Sequence, residues 1–317
     1  MKKVLVVTNR NDPHADAVID LLGNSVLRLN TDEILNEFHS DIIISNQSNL
    51  SAISGHSRKL LCDNISSVYY RRPEKPKEEN SKYDEIRIAE AWGALYHLFY
   101  GLDKLPWMGH PLKDKKNSSR LLQLKTAAEI GFKIPETIIS RNIKELKKFI
   151  NIHGKVAVKP IHIRGFSEKM SWTPYFTEVI DKNSFNNIDE KILGSTYNYL
   201  QKYIAKKREW RVTIVGDLIF PCVLDSQNSN GGQEDWRKIN YELIKHYHEE
   251  LPESINKYIL EYVNKLNMPF GAMDLIESSD GQWYFLECNP NGQWLWIQHL
   301  TNLPISNAIA EWHMKYL

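Results

Sequence analysis

The chain has 317 residues, 42% hydrophobic and 25% charged, with 40 Lys+Arg against 39 Asp+Glu. That length suggests two domains or three small ones sharing cores, and the scattered 15 Gly and 13 Pro exclude disorder and fibrous repeats as the main content. A net charge of +1 argues against a protein that works mainly by coating nucleic acid or an anionic membrane.

Val4–Thr8 reads as a buried strand. Asn11-Asp12-Pro13 then supplies a cap and a proline at the first helical position, and the periodic run ends at Gly23. Strand-like runs follow at 25–29, 41–45, 59–62 and 68–70, and a long helix covers about 83–102. Strands alternating with helices predict a three-layer α/β domain with a largely parallel sheet. No glycine occurs in Asn9-Arg10-Asn11-Asp12 after the first strand, so the Rossmann phosphate turn is absent.

A boundary falls near Pro106–Pro111. Beyond it the pattern predicts a helix over 118–130, a strand over 137–140, a helix from about 143 to 150 and a strand over 155–160. From about residue 199 the signals are mainly antiparallel, at 199–204, 211–215 and 218–225. A helix at about 253–265 then precedes a hairpin over 271–287. The polar, Gly-containing stretch 225–234 reads as a mobile loop, and His246 and His248 as part of a solvated helix. Cys62, Cys222 and Cys288 lie far apart, without metal-ligand spacing, which argues against a disulfide scaffold or a zinc finger. The apolar run Val4–Val7 is too short for a signal peptide, and no stretch approaches the ~20 apolar residues of a membrane span. A cytoplasmic protein is expected.

The most informative segment is the final hairpin. Asp280-Gly281 between two strand-like runs predicts a two-residue type I′ loop, pairing Ser279 with Gln282 and therefore Asp274 with Glu287. Asn289 shares the face of Glu287. Two carboxylates facing each other across a ladder repel unless a cation lies between them. Two carboxylates and a carboxamide are hard oxygen donors suited to Mg²⁺. Met273, Leu275 and Leu286 are expected on the opposite, apolar face.

In Lys155-Val-Ala-Val-Lys-Pro160, alternation puts Ala157 and Lys159 on one face and the two valines on the other. Lys159 either meets a phosphate oxygen or snorkels to solvent. The following loop, 162–166, carries a cation and a glycine, as a lid would. The basic run Gln201–Arg211 is either a surface turn or a nucleic-acid contact, and the arginines of Arg71-Arg72-Pro73 and Asp235-Trp236-Arg237 suit carboxylate or phosphate recognition or ordinary surface ion pairs.

In chain order these pieces resemble the ATP-grasp fold. They are Arg120-Leu-Leu-Gln-Leu, Gly131-Phe-Lys-Ile-Pro-Glu-Thr137, Val158-Lys159-Pro160, Gln201-Lys-Tyr-Ile204, Arg211, Asp274 and Glu287-Cys-Asn289-Pro-Asn-Gly. The resemblance covers residues ~107–317, each motif being weak alone and the ordered set strong. Tyr70-Arg71-Arg72-Pro73, the Asp235-Trp236-Arg237 triplet and the Cys288–Trp294 ending are similar to the peptide-modifying ligases of the microviridin or graspetide class. The resemblance implies an α/β and α+β chain: an N-terminal α/β pre-ATP-grasp domain (1–106), a central ATP-grasp lobe (107–198) and a C-terminal lobe (199–317).

It further implies that Arg120, standing where relatives commonly have Lys, contacts ATP together with Lys159, and that Gln201, Lys202, Tyr203 and Ile204 cradle the adenine. Asp274, Glu287 and Asn289 would hold Mg²⁺, with two ions expected. Lys159, Arg211 and Arg237 would act on the transferring phosphate and acyl carboxylate, and Arg71, Arg72, Asp235 and Trp236 would contact substrate. The implied reaction phosphorylates Asp/Glu side chains of a ribosomal precursor peptide (leader plus core) and links them to Thr/Ser or Lys side chains. The leader is expected near the hairpin 211–225 and the helix 253–265. A homodimer is expected, with no membrane or nucleic-acid partner. Two other readings stay open at this point: a ligase of free amino acids or protein termini, and a non-catalytic peptide-binding module, which ADP release would exclude.

Overall fold

A computed structural model of the chain describes residues 2–36, 38–44, 49–55, 58–76, 82–161, 165–168, 171–228, 233–238, 242 and 244–317. The first sheet is parallel, in the order Val26–Asn30, Lys3–Thr8, Ile65–Tyr70, Trp107–Met108. Its central strands are buried from Val4 to Thr8 and from Ile65 to Tyr70, as a sheet covered on both faces requires. Asp12 caps the helix Pro13–Leu22 by accepting from the His14 amide, with Pro13 in the first turn and Gly23 ending it at φ 54°.

The N-terminal region is not parallel throughout. Phe38–Ile44, Asn49–Gly55 and Arg58–Leu61 form a separate antiparallel sheet. Its middle strand escapes sequence reading because Asn49-Leu-Ser-Ala-Ile-Ser-Gly55 is small and polar, with few of the branched or aromatic residues that mark a strand. Trp107–Met108 pairs with Val68 and Tyr69, so the first sheet extends past residue 106.

The second antiparallel sheet runs Glu178–Asp181, Lys155–Lys159, Asn198–Lys202, Thr137–Ser140. Asn198–Lys202 is one of its two inner strands, although the sequence pattern groups it with the later strands. Helix Ile143–His153 covers one face through Leu146 and Ile150, which pack with Val156 and Leu200. The third sheet has five antiparallel strands: His246–His248, Leu218–Leu224, Lys206–Val215, Phe270–Ser278 and Trp283–Asn289. Helices Arg120–Ile130 and Glu253–Lys265 bury Leu124, Ala127, Ile255 and Ile259 against it. His246 and His248 therefore lie in a strand and not in a helix; three alternating residues are too few to reveal a period.

Gly109, at φ 77°, lets the chain leave the first sheet so close to Tyr70 that an added Cβ would stand 2.2 Å from its carbonyl oxygen. The lid residues 162–164 and loop residues 229–232 lie outside the described residues. All three cysteines are free and buried, and burial pushes the Cys62 thiol up to about 11 and the Cys222 thiol up to about 12. Among the described residues, no helix is long and apolar enough to cross a membrane.

Candidate functional site

The second and third sheets face each other across a cavity of about 460 Å³. Its floor is the last hairpin. Asp274 lies opposite Glu287 and Ala272 opposite Asn289, and all three polar side chains line the cavity. The route to that register differs from the sequence expectation. Ser278 faces Gln282 around a three-residue loop, with Gly281 at φ 76°, which shifts the pairing by one. An extra residue at Leu286 shifts it back. The bulge also turns Leu286 toward the cavity, and Phe285 takes the core position instead.

Each carboxylate on this floor has a guanidinium. Arg211, directly across the ladder from Asp274, donates through Nη1 to Oδ1 and Oδ2 at 2.8 and 3.0 Å, and through Nη2 to the Gln293 carbonyl at 3.4 Å. Arg120 opens its helix after the Ser119 cap and pairs with Glu287. Gln123, one turn on, donates Nε2 to the Cys288 carbonyl at 2.7 Å and accepts from the Cys288 amide at 3.2 Å, clamping the residue between Glu287 and Asn289.

Lys159 projects from the opposing sheet into the same cavity, beside Ala157 and away from Val156, as alternation requires. Desolvation in the cleft, with Arg120 and Arg237 nearby, pushes its amine down to about 7. Arg237 grips Asp235 through Nε (2.8 Å) and Nη2 (2.6 Å), and Asp235 also accepts from the Thr177 amide at 2.9 Å. These bonds outweigh burial and hold the Asp235 carboxyl down at about 2. Trp236, between them, packs against Trp296 with the rings tilted and their centroids 5.3 Å apart.

Gln201, Lys202, Tyr203 and Ile204 line the passage between the two sheets. Backbone bonds from Lys202 to Glu136 (2.8 Å) and from Tyr203 to Lys155 (3.2 Å) fix it, while Gln201 Oε1 is buried without a partner. An unpaired buried acceptor in a cleft is where a ligand donor fits.

Twelve of the sequence candidates thus line one cavity, and three do not. Arg211 stands behind Asp274, engaged by it. Arg71 is 1% exposed and bonded to Asn291, which no surface substrate contact can be. Arg72 is outside the lining. Lys206, expected in an exposed turn, lies on a strand with its side chain turned inward, donating to Glu209 (2.7 Å) and the Glu234 carbonyl (2.9 Å). Sequence reasoning missed Gln123, Lys206 and Glu209. The i,i+3 Lys-Glu spacing of the last two was a visible signal, obscured by a register shift in that strand between Lys206 and Arg208.

Among the described residues, no three His, Cys, Asp or Glu gather as a metal site. The donor set here is instead two carboxylates plus the Asn289 carboxamide, hard oxygens that fit Mg²⁺.

The MvdD pre-ATP grasp domain family matches residues 3–115. A RiPP-associated ATP-grasp ligase of Chryseobacterium gregarium, solved in complex with ADP and a leader and core peptide, is 30% identical with a TM-score of 0.91, over 100% of this chain and 98% of that one. The macrocyclase MdnC of Microcystis aeruginosa, bound with precursor peptide MdnA, is 25% identical with a TM-score of 0.85, over 99% and 100%. Tetrahydromethanopterin:alpha-L-glutamate ligase of Methanocaldococcus jannaschii is 26% identical over 188 residues, 58% of this chain and 61% of that protein, so the chain spans under two thirds of that relative's length. A cavity between two antiparallel sheets, behind an MvdD-type domain, agrees with these likenesses: the chain belongs to the RiPP-associated ATP-grasp ligases.

Proposed function

We propose that the protein is an ATP-dependent ligase that phosphorylates Asp/Glu side chains of a ribosomally made precursor peptide and joins them to Thr/Ser as esters or to Lys as amides. The observation that carries this is the single cavity in which Lys159, Arg120 and Arg237 converge on Asp274, Glu287 and Asn289. Cations from three separate elements suit phosphate oxygens, and the hairpin floor supplies hard donors for metal.

In this reading the passage Gln201–Ile204 takes the adenine, and Lys159 with Arg120 takes the phosphates. Asp274, Glu287 and Asn289 hold Mg²⁺, in two ions. When bound, the metal neutralises charge on the phosphate oxygens. A peptide carboxylate attacks the γ-phosphate, giving an acyl phosphate and ADP, and a hydroxyl or amine then displaces phosphate. Arg237, held rigid by Asp235, presents its remaining donors to the acyl group. Arg211, donating to both oxygens of Asp274, holds that carboxylate in orientation. The enzyme acts as a homodimer in the cytoplasm, with the leader docked near the hairpin of Lys206–Val215 and Leu218–Leu224 and the helix Glu253–Lys265. This docking raises the effective concentration of core side chains.

The test is co-expression with the short Thr- and Glu/Asp-rich reading frame expected beside the gene. Each crosslink removes one water, about 18 Da by mass spectrometry, through ATP-driven condensation, and mild alkali reverses esters but not amides. The named activity of the methanogen relative favours a second reading, addition of free glutamate to an acceptor. An unmodified peptide together with ATP-dependent consumption of free glutamate would establish that reading instead.

A further inference from the structure

We propose that Arg71 is a positioning residue through which the pre-ATP-grasp domain sets the Asn289 carboxamide. This rests on reading Asn289 as a metal ligand. Arg71 Nη1 donates to the main-chain oxygen of Asn291 at 2.9 Å and also to its side-chain oxygen. Asn291 Nδ2 returns a bond to the Arg71 carbonyl. The Asn291 amide in turn donates to Asn289 Oδ1 at 3.1 Å. Three residues thus form one chain of bonds from the first sheet to the metal face of the third. A carboxamide oxygen has two lone pairs. The amide bond uses one and fixes the rotation of the group, which leaves the other for a cation.

A role as packing glue fits less well. Arg71 is 1% exposed, and its Nε and Nη2 are buried without partners. A buried guanidinium with empty donors costs stability, and an apolar side chain would fill the volume better. What arginine adds is a charged donor that grips two oxygens of one residue at once.

The test measures metal directly, with Mn²⁺ as the probe and free Mn²⁺ counted by its paramagnetic resonance signal, in the presence of ADP. Arg71→Met should weaken Mn²⁺ binding about tenfold, the usual order for loss of a residue that orients a ligand, while ADP affinity in metal-free buffer stays unchanged. Wild-type Mn²⁺ affinity in folded Arg71→Met would overturn the proposal. If that variant does not fold, Asn291→Ala carries the same expectation and the same refutation. Glu287→Gln separates the two ideas. If it loses Mn²⁺ while Arg71→Met keeps it, only the coupling is wrong; if both keep it, the metal reading has failed and the coupling with it.

Discussion

Lys159 makes the nucleotide site measurable without turnover. Its amine, desolvated in the cleft and close to Arg120 and Arg237, is pushed from 10.5 down to about 7. At pH 8 roughly a tenth of the free protein carries that proton. Phosphate oxygens arriving beside the amine favour the charged form and restore its ordinary value. Lys159 should therefore take up about 0.9 proton per site when ADP binds at pH 8, and its contribution falls to about 0.1 at pH 6, where the group is already charged. Titration calorimetry in buffers of different ionisation enthalpy reads this number directly. Lys159→Arg should bind ADP with no uptake from this position, because a guanidinium stays charged throughout. The depression also gives the nucleotide-free protein stability that rises with pH from about 7 toward 10.5, the window in which the unfolded chain holds a proton that the folded chain lacks. Uptake near zero at pH 8, or equal uptake in Lys159→Arg, would refute the assignment of Lys159 to the phosphates.

The two facing carboxylates should tolerate no loss of charge: Glu287→Gln and Asp274→Asn each remove an anionic donor while keeping shape, and ADP production should fall by several kcal/mol of transition-state stabilisation. Near-normal rates in both at saturating Mg²⁺ would remove these residues from the metal. Gly292→Ala should fold less stably by about 1–3 kcal/mol and lose turnover, since its Cβ would stand 2.3 Å from that of Ala272 and 3.1 Å from Arg211 Nη2. A denaturant midpoint and rate equal to wild type would show that the turn after Pro290 has slack.

Much of the site could be read from local periodicity. The alternation of Lys155–Lys159 put Lys159 on the polar face because a strand allows no other arrangement. The facing of Asp274 and Glu287 was also legible, although for an incomplete reason: a longer loop and a bulge displace the ladder in opposite senses and cancel. A bulge leaves little local signal, since it depends on what packs against each face. Arg71 was misread as a substrate contact because its partner lies 220 positions away, and nothing near Tyr70 in sequence marks that contact. Gln123 was passed over for the same reason; a glutamine in a helix looks solvated until the strand it clamps is in place.

That clamp has a consequence for solubility. Trp283–Asn289 is an outer strand of its sheet, with a row of main-chain groups that another chain could pair with. Gln123 satisfies both groups of Cys288 with its side-chain amide, as a neighbouring strand would, and the Lys133 carbonyl accepts from the Phe285 amide. The border is thereby capped by a helix side chain and a single bridge. The strand that carries the proposed metal ligands is thus shielded from cross-molecular pairing without giving up the side of the hairpin that faces the cavity.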